Sequence, residues 1–253
     1  MEVDFGRAAL DYARHRAGFP AAFYEALAAR GIRPRARADR AFDLATGTGT
    51  IARALSRRGW RVDGIDRSVD MLRAACRLDA EAGDNVGYLA ARAEALPFKD
   101  RAFDLVTAGT CWHWFDRDRA AAEARRVLAP GGHLVIAALE WRGAPGNAVR
   151  ATDDLIAIHN PAWAAAAGGL AFTFDWADDL ARQGFVDIDR LSIAIDIPYS
   201  HEAWRGRIRA SAGVGASLPP EAIARFDAEL TTLLVRDFPD DPLALPHEVA
   251  ALV

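Results

Sequence analysis

The sequence predicts an α/β fold, seven strands in one sheet with helices wound on both faces. Three observations carry that expectation. Short apolar runs alternate with helix-like segments between about residues 40 and 140, the rhythm of strand–helix–strand units. The first run ends in a turn with glycines two apart, Asp43-Leu44-Ala45-Thr46-Gly47-Thr48-Gly49-Thr50, which leads straight into a helix-like segment. A Pro130-Gly131-Gly132 turn then opens another apolar run, His133–Leu139.

Taken in order, residues from about Ala8 to Ala29 read as helix in two pieces. They break at Gly18-Phe19-Pro20, because proline starts helices better than it continues them. Ala41–Leu44 is the first strand and Ile51–Leu55 the helix after the glycines. Arg61–Asp66 is the second strand, and Ser68 caps a helix through Leu78. Val86–Ala91 and Phe103–Thr107 are the third and fourth strands, Arg117–Leu128 a helix, and His133–Leu139 the fifth strand. After Glu140 the rhythm changes to alanine-rich helical segments up to about Thr173, then a helix over Asp175–Gln183. Phe185–Ile197 is a long β-type run, and Ile223, Phe226, Leu230, Leu233 and Leu234 recur at helical spacing. Leu245–Val253 closes the chain as a last strand, expected to be antiparallel. The chain thus reads as a single domain over residues 1–253. It has a helical cap at 1–30, a core at 40–140, and helical insertions at 141–175 and 198–244. The insertions are expected over the carboxyl edge of the sheet, where such folds bind ligands.

Composition narrows the classes. Of the 253 residues 51% are hydrophobic and 26% charged, ordinary for a globular protein with a real core. A formal charge of -4 argues against a nucleic-acid partner, which needs a basic face. Arginines are spread among acids, and Lys99 is the only lysine, a bias that reads as compositional. Two cysteines, Cys76 and Cys111, lie far apart, which excludes a cysteine-type zinc site and a disulfide framework. No apolar stretch has signal or membrane-span length, so the expected location is the cytoplasm, without a membrane partner.

A strand, a glycine turn and a helix start make a nucleotide-type cradle: glycine admits close approach, and the helix start presents unpaired N–H groups. Gly47-x-Gly49-x-x-Ala52, with Asp66 ending the next strand, also satisfies a loose dinucleotide fingerprint. A phosphate loop is excluded, since no Gly-Lys-Ser or Gly-Lys-Thr follows.

Four stretches narrow the reading. They are Asp43-x-x-Thr46-Gly47-Thr48-Gly49, Asp66 at the end of the second strand, Glu94-Ala95-Leu96-Pro97-Phe98 running to Phe103-Asp104-Leu105-Val106, and Leu128-Ala129-Pro130-Gly131-Gly132-His133-Leu134. In this order and spacing, over about residues 40–140, the chain resembles the class I S-adenosylmethionine-dependent methyltransferases of the small-molecule, Methyltransferase-11-like type. That resemblance implies a Rossmann-like fold, S-adenosylmethionine as donor, S-adenosylhomocysteine as product, and no metal. It implies cofactor contacts at Asp43, Ala45, Thr46, Gly47, Gly49, Asp66, Arg67, Met71, Ala93, Glu94 and Gly109. Asp66 would bind the two ribose hydroxyls, a charge-assisted pairing that disfavours a ribose phosphate. Many relatives place an aspartate where this chain has Arg92, so adenine would be met by Glu94 or a backbone carbonyl.

Trp112-His113-Trp114-Phe115-Asp116 follows the fourth strand, and its His-Trp-Phe-Asp run resembles a subgroup related to trans-aconitate methyltransferases. The opening Asp11–Pro20 segment is similar to that subgroup's start, and Tyr12 and Arg16 are expected to close over the cofactor's methionine carboxylate; a surface ion pair and a core tyrosine are the alternative. His113 is the candidate base, with an acceptor contact or a structural role as alternatives, since in-line methyl transfer draws much of its rate from positioning. Trp112, His113, Trp114, Trp141, Trp204 and Arg205 are the candidate acceptor contacts. Flat aromatic walls suit planar molecules, whereas Arg205 and Arg209 equally suit an ion pair with Glu202. The reading is methyl transfer to nitrogen or oxygen of a small planar metabolite, heteroaromatic or phenolic, by a monomer or homodimer with the insertions as a lid. The alternatives are carboxylate O-methylation of a small acid, a non-catalytic cofactor-binding regulator, and an NAD-dependent oxidoreductase.

Overall fold

A computed structural model describes residues 14–15, 17–36, 38–163 and 172–253. Among these, seven strands form one sheet: β1 (Arg40–Leu44), β2 (Arg61–Asp66), β3 (Gly87–Ala90), β4 (Phe103–Gly109), β5 (Leu128–Trp141), β6 (Arg190–Tyr199) and β7 (Leu243–Leu252), in the order β3-β2-β1-β4-β5-β7-β6. The pairs β2/β3, β1/β2, β1/β4 and β4/β5 are parallel, and the last strand is antiparallel, as expected. Central strands β1 and β4 are buried almost throughout rather than alternating, because a parallel sheet is covered on both faces. The winding direction reverses between β1 and β4, and at such a switch point loops leave the carboxyl ends of two neighbouring strands in opposite directions.

Eight α-helices lie wholly among the described residues, and four of them begin at a side-chain cap. They are α1 (Ala21–Ala29), α2 (Thr50–Ser56), α3 (Val69–Ala82), α4 (Arg117–Val127), α5 (Ala148–His159), α6 (Trp176–Arg182), α7 (His201–Arg209) and α8 (Pro220–Asp237). Side chains of Ser68, Asp116, Asn147 and Ser200 accept the N–H three residues on, at 3.4, 3.3, 2.8 and 3.1 Å. Helix α3 runs a turn beyond Leu78 and stops at Gly83, in the left-handed region at φ 71°, where only glycine fits without strain.

Two strand starts differ most from the sequence expectation. β5 starts at Leu128, not His133, because Leu128 pairs with Phe103 and the Pro-Gly-Gly segment is absorbed where the register shifts. β6 starts at Arg190, not Phe185. Gly184 and Asp187 adopt positive φ (83° and 55°), and Phe185 and Ile188 pack on a hydrophobic core instead of entering the sheet. An apolar run alone does not separate these two uses.

The chain forms two compact units. One comprises Gly18–Leu139, Phe172–Ile193 and Val249–Val253, the other Met1–Ala17, Glu140–Ala171 and Ala194–Glu248. The first unit is centred on Phe42, stacked on Phe103 at 4.9 Å, with Phe98 edge-on to both at 4.9 and 5.0 Å. Its Leu96–Asp100 stretch is latched to α4. Arg126 donates to the carbonyls of Leu96 (3.0 Å) and Phe98 (2.8 Å) and to Asp100 (2.9 Å), while Glu123 accepts the Leu96 N–H at 2.6 Å. The second unit is centred on Trp204, whose indole N–H reaches Thr152 Oγ1 at 3.0 Å, with Trp141 and Tyr199 edge-on, each at 5.4 Å.

Phe42 has no exposed surface, so Phe42→Ala leaves a cavity between Phe98 and Phe103. Urea unfolding should show a loss of about 3–5 kcal/mol in the unit it occupies.

Candidate functional site

Asp43, the next-to-last residue of β1, organises the site. Its register partner on β4 is Thr107, whose hydroxyl donates to Oδ1 at 2.6 Å. Thr46, in the turn beyond the strand, donates its hydroxyl to Oδ2 at 2.6 Å, and the Ala52 N–H at the start of α2 adds a third bond. One carboxylate therefore ties together two strands, the turn and a helix start. Burial pushes the Asp43 carboxyl up to about 6, against the pull of Thr107 and Thr46, and the nearby Asp66 charge adds to the rise.

The turn itself is built for close approach. Ala45, Gly47 and Gly49 have φ of 46°, 57° and 80°. Thr46 N–H reaches the Ile65 carbonyl at 2.7 Å, and the Thr46 side chain lies over Gly64, where a Cβ would come within 2.9 Å of its Oγ1. Asp66, at the tip of β2 and only 9% exposed, accepts the Gly47 N–H on Oδ2 at 2.9 Å and the Ser68 N–H on Oδ1 at 2.8 Å. A carboxylate has about four acceptor positions, so Asp66 keeps acceptor capacity beside these backbone donors. Burial raises the Asp66 carboxyl above its ordinary value, opposed by the Ser68 and Gly47 N–H groups and by the Arg67 charge. Met71, which donates its N–H to Ser68, is buried on α3, and Arg67 is exposed between β2 and the cap.

Beyond β3, Ala93 is buried inside a short Arg92–Ala95 bridge. Glu94 lies against Arg92 at 3.4 Å and accepts the Asp116 N–H at 3.2 Å, which links this segment to the loop after β4. That loop begins at Gly109, where a Cβ would run into Ile51 of α2, and continues through Thr110 at φ 55°. Trp112–Trp114 forms one turn of 3₁₀ helix. Trp112 is 1% exposed and edge-on to Phe115 at 5.7 Å, a core side chain. His113 is half-buried with its ring 4.7 Å from that of Trp114, and Trp114 is 41% exposed.

The first unit thus brings together Asp43, Ala45, Thr46, Gly47, Gly49, Asp66, Arg67, Met71, Ala93, Glu94, Gly109, Trp112, His113 and Trp114. Tyr12 and Arg16 lie outside the described residues. Trp141, Trp204 and Arg205 belong to the second unit. There Trp141 stacks under the Arg207 guanidinium at 4.6 Å and donates to Asp153. Trp204 is fully buried, a core side chain rather than an exposed wall. Arg205 binds both oxygens of Asp227, with Nε 3.1 Å from Oδ1, and reaches Glu202 at 3.0 Å, which is the ion-pair alternative. Sequence reasoning passed over Thr107 and Gly64. Both serve through partners on neighbouring strands, so no local spacing announces them. Among the described residues no cluster of three or more metal-ligating side chains occurs, and no helix is long and apolar enough to cross a membrane.

A glycine turn at the switch point, beside an acidic strand tip with acceptor capacity left, defines a nucleoside-binding α/β protein. A methyltransferase-domain family model matches residues 42–136, from β1 through most of β5. Demethylmenaquinone methyltransferase of Thermus thermophilus is 46% identical over 112 residues, 43% of this chain and 50% of that protein. An uncharacterized protein of Mycobacterium bovis, Mb1438c, is 31% identical over 214 residues, 80% of this chain and 76% of that one. A putative type II methyltransferase of Anaeromyxobacter dehalogenans has the same fold, with a TM-score of 0.57 at 23% identity, over 93% of this chain and 95% of that one. The chain belongs to the class I S-adenosylmethionine-dependent methyltransferases. It spans about half the length of the first curated relatives it matches.

The Asp43 carboxyl titrates near 6 in the folded protein, against an ordinary value of 3.8. Its contribution is therefore stabilising below about pH 4 and is lost as pH rises through about 6, a cost of ~3 kcal/mol by neutrality. Stability measured from pH 4 to 7 should fall less in Asp43→Asn than in the native chain.

Proposed function

We propose that this protein transfers a methyl group from S-adenosylmethionine to a nitrogen or oxygen of a small planar metabolite. The observation that carries the reading is Asp66. Its carboxylate is oriented by Gly47 and Ser68 N–H groups on separate oxygens, beside the turn that ends β1. That arrangement fits a ribose diol, whose two hydroxyls donate to the oxygens, and a ribose phosphate would be repelled. The donor, when bound, supplies an electrophilic sulfonium methyl.

The chain's own residues bind and orient. Thr46, held by Asp43, fixes the turn's path, and the positive φ of Gly47 and Gly49 bares backbone toward an uncharged ligand chain. Ala93 and Glu94 would meet the adenine edge, with Glu94 kept in place by the Asp116 N–H. On the acceptor side, Trp114 offers an exposed flat face with the His113 ring against it, the surface a planar acceptor stacks on. An imidazole there takes the proton of a phenolic acceptor and is only a contact for a ring nitrogen with a free lone pair. Methylation at carbon is the second reading. It is favoured by a relative from Hahella chejuensis named a ubiquinone/menaquinone biosynthesis C-methyltransferase, 39% identical to this chain over 100 residues, 37% of this chain and 40% of that protein.

Calorimetry decides the donor. S-adenosylmethionine and S-adenosylhomocysteine should bind one to one, and NAD should not; NAD binding with no sulfonium binding would sink the proposal. An ionised Asp66 is the form that accepts the diol. Affinity should thus be full at neutral pH and fall as pH drops through a value above the ordinary aspartate range. Asp66→Asn should weaken binding at pH ~7.5 by about 10–100-fold, the worth of charge-assisted bonds, and flatten that pH dependence. His113→Ala should abolish turnover of a phenol while cofactor binding persists; full turnover would leave His113 as a contact only.

A further inference from the structure

The back of the glycine turn carries a side-chain network that neither the fingerprint nor the proposed reaction uses. Arg53 of α2 donates Nη1 to the Thr48 carbonyl at 2.6 Å and to Asp79 Oδ1 at 3.0 Å. Tyr88 of β3 donates its hydroxyl to the same Asp79 oxygen at 3.1 Å. Arg53 and Asp79 side chains are 13% and 8% exposed, so this is an ion pair shielded from solvent, in which each charge needs the other. Burial and the Asp79 charge hold the Tyr88 phenol far above its ordinary value, so it remains a hydroxyl donor at any physiological pH.

The network also explains Gly49. A Cβ at that position would collide with the Tyr88 hydroxyl and come within 2.8 Å of Arg53 Nη1. Its φ of 80° already disfavours other residues. The turn is therefore pressed between the ligand side and a polar wall. Helix α3 reaches the turn from both ends, through Ser68 on the Asp66 oxygen that Gly47 does not use, and through Asp79 and Arg53 on Thr48.

We propose that Arg53, Asp79 and Tyr88 are positioning residues for the cofactor turn: they fix the Thr48 carbonyl and the back of Gly49, and so set the aim of the Gly47–Gly49 backbone. They touch no reacting atom, and the proposal rests on the reading of this turn as a donor site. Loss of the network should appear in donor affinity and in the order of the turn, ahead of the methyl-transfer step.

The test uses the full chain with Tyr88→Phe, which removes one oxygen and leaves the ion pair and the packing. S-adenosylhomocysteine is the probe. Its Kd should rise about three- to tenfold, the net worth of one hydrogen bond, with kcat at saturating donor changed less than Kd. Amide exchange at residues 47–50 should quicken while the urea midpoint moves little. Arg53→Lys, which keeps the charge on a shorter side chain and so withdraws the one nitrogen that serves both Thr48 and Asp79, should behave alike. A cycle that combines Tyr88→Phe with Gly49→Ala supplies an independent reading. Gly49→Ala should cost more affinity in the native background than in the Tyr88→Phe background, because there the hydroxyl it strikes is gone. Unchanged Kd and unchanged exchange in Tyr88→Phe, or strictly additive effects in the cycle, would overturn the proposal. If the native protein does not bind S-adenosylhomocysteine, the donor reading fails, and exchange at residues 47–50 alone decides whether the network orders the turn.

Discussion

Everything at the carboxyl end of the sheet hangs on one buried carboxylate. Asp43 sits where two strands part company, and water cannot solvate it there. Its charge is met by hydroxyls from Thr107 and Thr46 and by the N–H of Ala52. Those donors come from β4, the turn and α2, so satisfying the aspartate and assembling the cradle are one physical event. An unsatisfied carboxylate at this depth would be costly, which leaves little freedom for the turn to take another path. Asp66 continues the logic one strand over, with backbone donors in place of hydroxyls.

Two environments of one residue type divide the work. Asp43 takes a hydroxyl on each oxygen and is buried among the elements that supply them. Asp66 takes backbone N–H groups instead, with Gly47 and Ser68 on separate oxygens and Arg67 adding to them. Both are buried and both carboxyls are raised, yet one ties strands, turn and helix together and the other lies at a strand tip. The distinction lies in the origin of the donors, hydroxyls of other elements for Asp43 and backbone N–H groups for Asp66, which a sequence does not record.

Most of the architecture was legible in the sequence, because parallel strands, caps and glycine turns are local events with local signals. The doubly wound sheet and the Ser68 cap were within reach of spacing and residue type, and the antiparallel last strand followed from the family resemblance. The errors fell where an apolar run has two uses: Phe185 and Ile188 fill a core while Arg190 onward enters the sheet. Within the site, Asp43, Gly47, Gly49 and Asp66 were readable from their motif. Thr107, Gly64, Asp79 and Tyr88 were not, since each acts through a neighbour on a different element of the fold. Of the tryptophans singled out, Trp114 is the exposed one, while Trp112 and Trp204 are claimed by hydrophobic cores; bulk alone does not say which fate a large aromatic meets.

Arg126 fills a position that a lysine could not. Its single guanidinium spans two carbonyls and two carboxylates, those of Leu96, Phe98, Asp100 and Glu123. Five donors fixed in one plane can span that set, whereas an ammonium, with three donors on one atom, cannot. The chain between β3 and β4 is consequently held by shape as much as by charge. Added salt would screen the carboxylate contacts and leave the carbonyl contacts nearly untouched. The segment's order is thereby insulated from ionic strength in a way that an ordinary surface ion pair is not.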